Sequence, residues 1–184
     1  MSKQTSQIVS AGQLKGAKLK IKAVKNDGLQ EYVTIINRGT VVQPMSDWVL
    51  ASLRGQAFYS FPDDLMFEPG MIVEIQSGQL EPKNIHKDWG IGAVLLWTVE
   101  QVWNNRGDIA ILFDANGLEV DRHSYPHERV MGSGANRRKV LVRNDNGFEI
   151  VNESLRQAKK RNPKTKRRVG RSVIKTINAK DSIS

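Results

Sequence analysis

The sequence predicts an all-β chain folded as a sandwich or a barrel. Three observations predict it. Apolar residues recur at every second position in several short segments, clusters of Gly, Asn, Asp and Pro separate those segments, and no stretch before residue 150 sustains a helical apolar period. Many short strands with frequent turn chemistry are the mark of that class. At 184 residues the chain can bury one well-formed core with an appended element, short of two full domains.

The elements follow in order. Residues 1–16 (MSKQTSQIVSAGQLKG) are polar and without periodicity, which predicts a flexible N-terminus. In AKLKIKAVK, Leu19, Ile21 and Ala23 alternate with Lys18, Lys20 and Lys22, the pattern of a strand with one face on a core and one basic face in water. Asn26-Asp27-Gly28 supplies a turn. EYVTIIN (31–37) puts Val33 and Ile35 on one face, and MIVEIQ (71–76) does the same with Met71, Val73 and Ile75. AVLLWTV (93–99), DIAILFD (108–114) and LEVDRHSY (118–125) are rich in β-branched and aromatic residues, with Asn104-Asn105-Arg106-Gly107 and Ala115-Asn116-Gly117 as turns between them.

These residues also form an ordered set. EYVTIINRG is followed by Ser46-Asp47-Trp48 with Leu50, by Phe61-Pro62 leading to Glu68-Pro69-Gly70 and MIVEI, and by Trp103-Asn104-Asn105-Arg106-Gly107-Asp108 running into IAILFDANGLEVD. From about Leu19 to Tyr125 the set resembles the lamin tail domain, a family named for the C-terminal globular domain of nuclear lamins and also found in bacterial proteins. The resemblance implies an immunoglobulin-like β-sandwich with Trp48 in or near its core, and a Phe-Pro to Pro-Gly connection that ends where a central strand begins. It implies interaction surfaces and no active site. Arg106 departs from the small residue usual in its turn, and QLEPKNIHKDWGIG (79–92) is a variable loop.

Beyond Pro126 the family pattern stops, but strand signals continue. RRKVLVR (137–143), the turn Asn144-Asp145-Asn146-Gly147 and FEIVNE (148–153) predict a β-hairpin with Val140 and Val142 on the face of Phe148 and Ile150. A lone hairpin is marginal in water, so it docks on the sandwich, pairs with a partner or folds on binding. Asn152 or Ser154 caps a short helix through about Arg161, which Pro163 ends, and residues 162–184 read as a disordered tail. The predicted organisation is thus a flexible 1–16, a sandwich at 17–130, a hairpin plus short helix at 131–161 and a basic tail at 162–184.

The net charge of +9 is unevenly spread. Residues 1–30 carry +5, residues 31–130 carry −7, and residues 131–184 carry +11. Nine cations, Arg156, Lys159, Lys160, Arg161, Lys164, Lys166, Arg167, Arg168 and Arg171, occur with no acid among them, and this run is the predicted polyanion-binding site. On duplex DNA, neutralising about five to nine phosphates gives a log K against log salt slope of roughly −4 to −8. Phosphate contacts carry no sequence information, and the run holds no aromatic residue for stacking bases, so the binding expected is non-specific. Lys18, Lys20 and Lys22 form a secondary basic face. The competing readings are a solubilising linker, a grip on an acidic protein, or attraction to anionic lipid without an apolar face to make it firm.

Catalytic readings are weaker. Asp121-Arg122-His123-Ser124-Tyr125-Pro126-His127-Glu128 gathers metal-ligand types, and Asp121, His123 and Tyr125 share a strand face, so the most distant alternative is a metal-dependent phosphodiesterase. Pro126 breaks the spacing to His127, no HExxH helix is present, and the segment reads as a polar strand face. Ser46-Asp47, Ser60 and His86 form no nucleophile–base arrangement, and GSGA (132–135) reads as a linker, not a phosphate loop. Trp48, Trp97 and Trp103 are assigned to the core, leaving Trp89 as the partner-contact aromatic. With no cysteine, disulfides and thiolate zinc sites are ruled out. No apolar run approaches the roughly 18 residues of a membrane span, and no signal peptide is apparent, so a cytoplasmic protein without transmembrane insertion is expected.

The reading is a non-enzymatic binding or assembly module, with no catalytic residue, metal, cofactor or small-molecule substrate. Its expected partner is nucleic acid. The alternative is a structural or adaptor subunit that binds protein or self-assembles by strand addition at a sheet edge or at the hairpin.

Overall fold

The computed structural model describes residues 11–26, 28–79, 92–125 and 137–153. Among them twelve strands form: β1 (Leu19–Lys25), β2 (Gln30–Asn37), β3 (Gln43–Pro44), β4 (Val49–Ser52), β5 (Ala57–Ser60), β6 (Met66–Phe67), β7 (Ile72–Gly78), β8 (Gly92–Thr98), β9 (Asp108–Phe113), β10 (Glu119–Tyr125), β11 (Lys139–Asn144) and β12 (Gly147–Asn152). Two four-stranded sheets, β1-β2-β7-β8 and β10-β9-β4-β5, face each other as a sandwich, and β3-β6 and β11-β12 are two-stranded additions. Neighbours are antiparallel except β7 and β8, which run parallel. No helix among the described residues is long and apolar enough to cross a membrane.

Period-two alternation places the core. Leu19, Ile21, Val33, Ile35, Val73 and Ile75 face inward from the first sheet, and Leu50, Ala110 and Leu112 meet them from the second. Trp48, Met45, Phe61, Phe67 and Trp103 fill the ends. Trp48 is fully buried, as the resemblance implied, and its Nε1 donates to the carbonyl of Ala11 at 2.9 Å. Residues 11–16, read as flexible from sequence, are tied to the body by that bond and by Leu14 N donating to Gln43 Oε1 at 2.7 Å.

Two details of the first sheet differ from the pattern. Ile21 pairs with Ile35 and Ala23 with Thr34, so Lys22 is a bulge, and Val24 instead of Ala23 packs on the core. One extra residue reverses the facing of everything after it. The inward face of β2 also carries a polar residue at each end, Glu31 and Asn37, both fully buried. Asn37 is satisfied four times: Oδ1 accepts from Lys18 N and Gly39 N, and Nδ2 donates to Val41 O and Phe67 O.

In the second sheet, every residue of β4 and β9 is buried, which a solvated outer face would not allow. The cover is the hairpin. Val49, Ala51, Ile109, Ile111 and Phe113 form a second apolar layer with Leu141, and Leu53, Phe58, Phe148 and Ile150 pack on it. Among the three fates open to the hairpin, it docks on the sandwich. The facing predicted for it is corrected by the register. Leu141 pairs with Ile150 and Arg143 with Phe148, so Leu141, not Val140 or Val142, shares the face of Phe148 and Ile150. The turn sets this parity: Asn144 pairs with Gly147, Asp145 and Asn146 lie between, and Gly147 takes a positive φ of 106°. The short helix expected beyond Asn152 and the basic tail lie outside the described residues, apart from Glu153.

Candidate functional site

The string that suggested metal chemistry is used structurally. On β10, Asp121 Oδ1 accepts from Lys20 Nζ at 2.6 Å and Oδ2 accepts from the backbone N of Ile21 at 2.8 Å. This carboxylate thus joins the two sheets at the β1/β10 edge, capping an amide that no strand neighbour takes. Arg122 is held by Glu119 through two bonds of 2.5 Å. His123 is half-buried, opposite Ala110 of β9. Among the described residues no group of three or more His, Cys, Asp or Glu side chains is arranged to hold a metal ion. His127 and Glu128 lie outside them.

The other sequence-selected residues separate as follows. Lys18 and Lys22 are exposed, while Lys20 is committed to Asp121, so the secondary basic face keeps two solvated ammonium groups. Ser46 Oγ donates to Asp63 at 3.2 Å, and Asp47 forms an ion pair of 2.7 Å with Arg143 of β11. Ser60 is exposed on β5. Trp103 is buried and Trp97 half-buried, their rings edge-on at 5.8 Å, and Trp97 also meets Tyr59 at 5.7 Å. Trp89, His86, the GSGA stretch and the nine cations from Arg156 to Arg171 lie outside the described residues.

Sequence reasoning missed a buried acidic node at one end of the sandwich. Glu31 Oε2 accepts from Val102 N at 2.7 Å, Ser77 Oγ at 3.0 Å and Trp103 N at 3.2 Å. Asp108 accepts from Ser52 Oγ at 2.6 Å, Ile109 N at 2.7 Å and Arg54 N at 2.9 Å. Both side chains are fully buried, and their bonds order the loop before β9 and the turn after β4. Tyr125 is the third member. Burial, and then the charges of Asp108 and Glu31, push its phenol far above the usual range, which keeps it neutral. The signal for Glu31 was present in the sequence, since period two puts it on the face of Val33 and Ile35.

A second missed device joins the sandwich to the hairpin. Asp114 Oδ1 accepts from Asn116 N and Leu118 N, both at 2.9 Å, folding the β9–β10 turn. Gly117, at φ +74°, then presents its carbonyl to Leu141 N at 2.9 Å. A β-carbon at Gly117 would stand 2.3 Å from the Leu141 carbonyl oxygen, so only glycine fits.

The carboxylates brought together by the fold are thus engaged by backbone amides, serine hydroxyls and cations, with Glu31 Oε1 buried and left without a hydrogen-bond partner among the described residues. The sequence model of the family described as Lamin Tail Domain matches residues 13–127. No curated protein matches the chain.

Proposed function

Because the chain belongs to the lamin tail domain family, we propose that it is a non-enzymatic binding and assembly module whose sandwich is the platform and whose Lys/Arg-rich tail grips nucleic acid non-specifically. The family's domain is an immunoglobulin-like interaction module and not a catalyst. The observation that carries the nucleic-acid reading is the run of nine cations without an acid between Arg156 and Arg171. Such a run repels itself in isolation, and a polyphosphate relieves that repulsion while releasing condensed counterions. The hairpin's docking supports the same reading, because it fixes Glu153, three residues before the first tail cation, to the platform.

The test is fluorescence anisotropy with a labelled mixed-sequence duplex at two salt concentrations. The intact chain should bind with a log–log salt slope of roughly −4 to −8, and replacing the nine tail cations with Gln should remove most of both affinity and slope. Unchanged binding by the Gln variant sinks the tail reading.

One observation favours a second reading, an adaptor or self-assembling subunit. At the edge away from Asp121, β8 has no further strand beside it among the described residues, and Leu96 is 56% exposed there, with Val99 just beyond at 72%. An unpaired edge with exposed apolar side chains is suited to strand addition. Light scattering should then give a mass above one chain, and Leu96→Lys should return it to the monomer value. A monomer at all concentrations with no stoichiometric partner rules this reading out.

A further inference from the structure

The tail segment with nine cations begins at Arg156, only three residues beyond Glu153, and the structure shows what lies beside Glu153. Lys139, at the start of β11, pairs with Asn152 at the end of β12, and its Nζ donates to Asn152 Oδ1 at 2.8 Å. Glu153 N donates to Arg138 O at 3.0 Å. The chain therefore leaves the folded body against Arg137, Arg138 and Lys139. From Glu153 to Arg156 a fully extended chain reaches at most about 11 Å, on the order of one Debye length at moderate salt.

These three cations are gathered by the fold with a fourth. Arg122 Nη2 donates to Arg137 O at 2.9 Å, Arg138 Nη2 donates to Glu119 O at 3.3 Å, and Lys139 N donates to Glu119 Oε2 at 2.7 Å. Glu119 thus serves as the organising carboxylate of a cluster of four cations, and the 137–153 stretch itself carries the acids Asp145, Glu149 and Glu153. The side chains of Arg137 and Arg138 are exposed, while Lys139 is buried and Arg122 half-buried. Burial first, then the charge of Arg122 and to a smaller extent that of Arg137, push the Lys139 ammonium below its usual range, against the opposing charge of Glu119.

We propose that Arg137 and Arg138, backed by Arg122 and Lys139, are a phosphate-binding root on the folded body, continuous with the tail and holding the backbone of a nucleic acid at a fixed place. The proposal rests on the reading of the tail as a nucleic-acid grip and deepens it. Guanidinium forks match phosphate oxygens two at a time. A pair held at the base of a docked strand, with Arg137 O and the Arg138 guanidinium both hydrogen-bonded to the sandwich, is pre-ordered, so each contact costs less freedom than one made by an extended segment. Arg137, Arg138 and Lys139 lie outside residues 13–127 and are this chain's own addition to the family domain, while Arg122 and Glu119, which position them, lie within it.

The experiment uses the full chain and a fluorescent duplex of about 20 base pairs, at about 50 and 200 mM salt. Four proteins are compared: wild type, Arg137→Gln/Arg138→Gln, the tail variant with nine Gln, and both sets combined. The double variant should weaken binding about tenfold and reduce the size of the salt slope by about 1 to 2. The tail variant should keep weak, salt-sensitive binding that the combined variant loses. Arg137→Lys/Arg138→Lys should retain the slope, and an unchanged melting temperature in each variant separates lost contacts from lost fold. If the double variant matches wild type in affinity and slope while the tail variant binds nothing, the root is overturned and the tail reading stands. If wild type ignores the duplex but binds vesicles of phosphatidylserine and phosphatidylcholine, both nucleic-acid assignments fall.

Discussion

The two faces of the β10-β9-β4-β5 sheet are buried by different partners. Its inner face, with Leu50, Ala110 and Leu112, meets a second sheet whose strands come from the family-matched part of the chain. Its outer face, with Val49, Ala51, Ile109, Ile111 and Phe113, meets a two-stranded hairpin from residues 139–152, beyond that match. The inner layer is enclosed by large side chains at both ends, including Trp48, Phe67 and Trp103. The outer layer is closed by Leu141 with the partly buried Phe58, Phe148 and Ile150. A family boundary is therefore not a folding boundary here: without the hairpin, five buried apolar residues would face water.

Paired truncations test this most strongly. Leu112→Ala empties a fully buried site in the inner layer and should cost about 3–5 kcal/mol, while Leu141→Ala in the outer layer should cost about 2–3 kcal/mol because the thinner cover can collapse toward the gap. Urea unfolding gives both values, and the shape of the curve matters as much as the midpoint. A single transition in Leu141→Ala means hairpin and sandwich unfold as one unit. An early, separate transition with a reduced slope would make the hairpin an independent flap and break the comparison.

How much of this was legible depends on whether a face is decided locally. The strands β2, β7 and β10, and the hairpin itself, follow from alternation and turn residues. Strand β4 does not, because four residues buried on both faces show no alternation to read. The unbroken run from Ile109 to Phe113 did carry the sign of a strand covered on both sides, and with it the need for a covering element. Which hairpin face does the covering was not legible, since it turns on whether Asn144 pairs with Gly147, and one residue of slip reverses it. The site divides in the same way. Asp121 looked like a metal ligand because nothing local announces that Lys20 and Ile21, a hundred positions earlier, will arrive at its two oxygens.

Glycine substitutions sharpen the contrast at smaller cost. Gly117 and Gly147 both take positive φ, but a β-carbon at Gly117 meets the Leu141 carbonyl oxygen, whereas one at Gly147 meets nothing within 4 Å. Gly147→Ala should cost only the left-handed backbone penalty, about 1 kcal/mol. Gly117→Ala adds a clash with backbone that cannot rotate away, and about 2–3 kcal/mol is expected. Because Gly117 O also receives Leu141 N, the loss should appear together with weakened hairpin protection in amide hydrogen exchange. Equal losses at the two glycines would mean that the turn, and not its approach to β11, sets the cost.

The smallest effect belongs to the contact that looks most like a clasp. Arg143 reaches from β11 to the carboxylate of Asp47 at 2.7 Å, donates to the Asp47 carbonyl as well, and lies 5.4 Å from the centre of the Phe148 ring. Yet the two charged side chains are 45% and 43% exposed, so water and salt screen the pair and ordering a long side chain offsets much of the attraction. Arg143→Ala should therefore lower stability by no more than about 1 kcal/mol, with the difference shrinking at high salt. If the hairpin is held by its apolar layer, Leu141→Ala must exceed Arg143→Ala severalfold under the same conditions. A loss above about 2 kcal/mol at Arg143, insensitive to salt, would instead make the electrostatic clasp the element that holds the outer face closed.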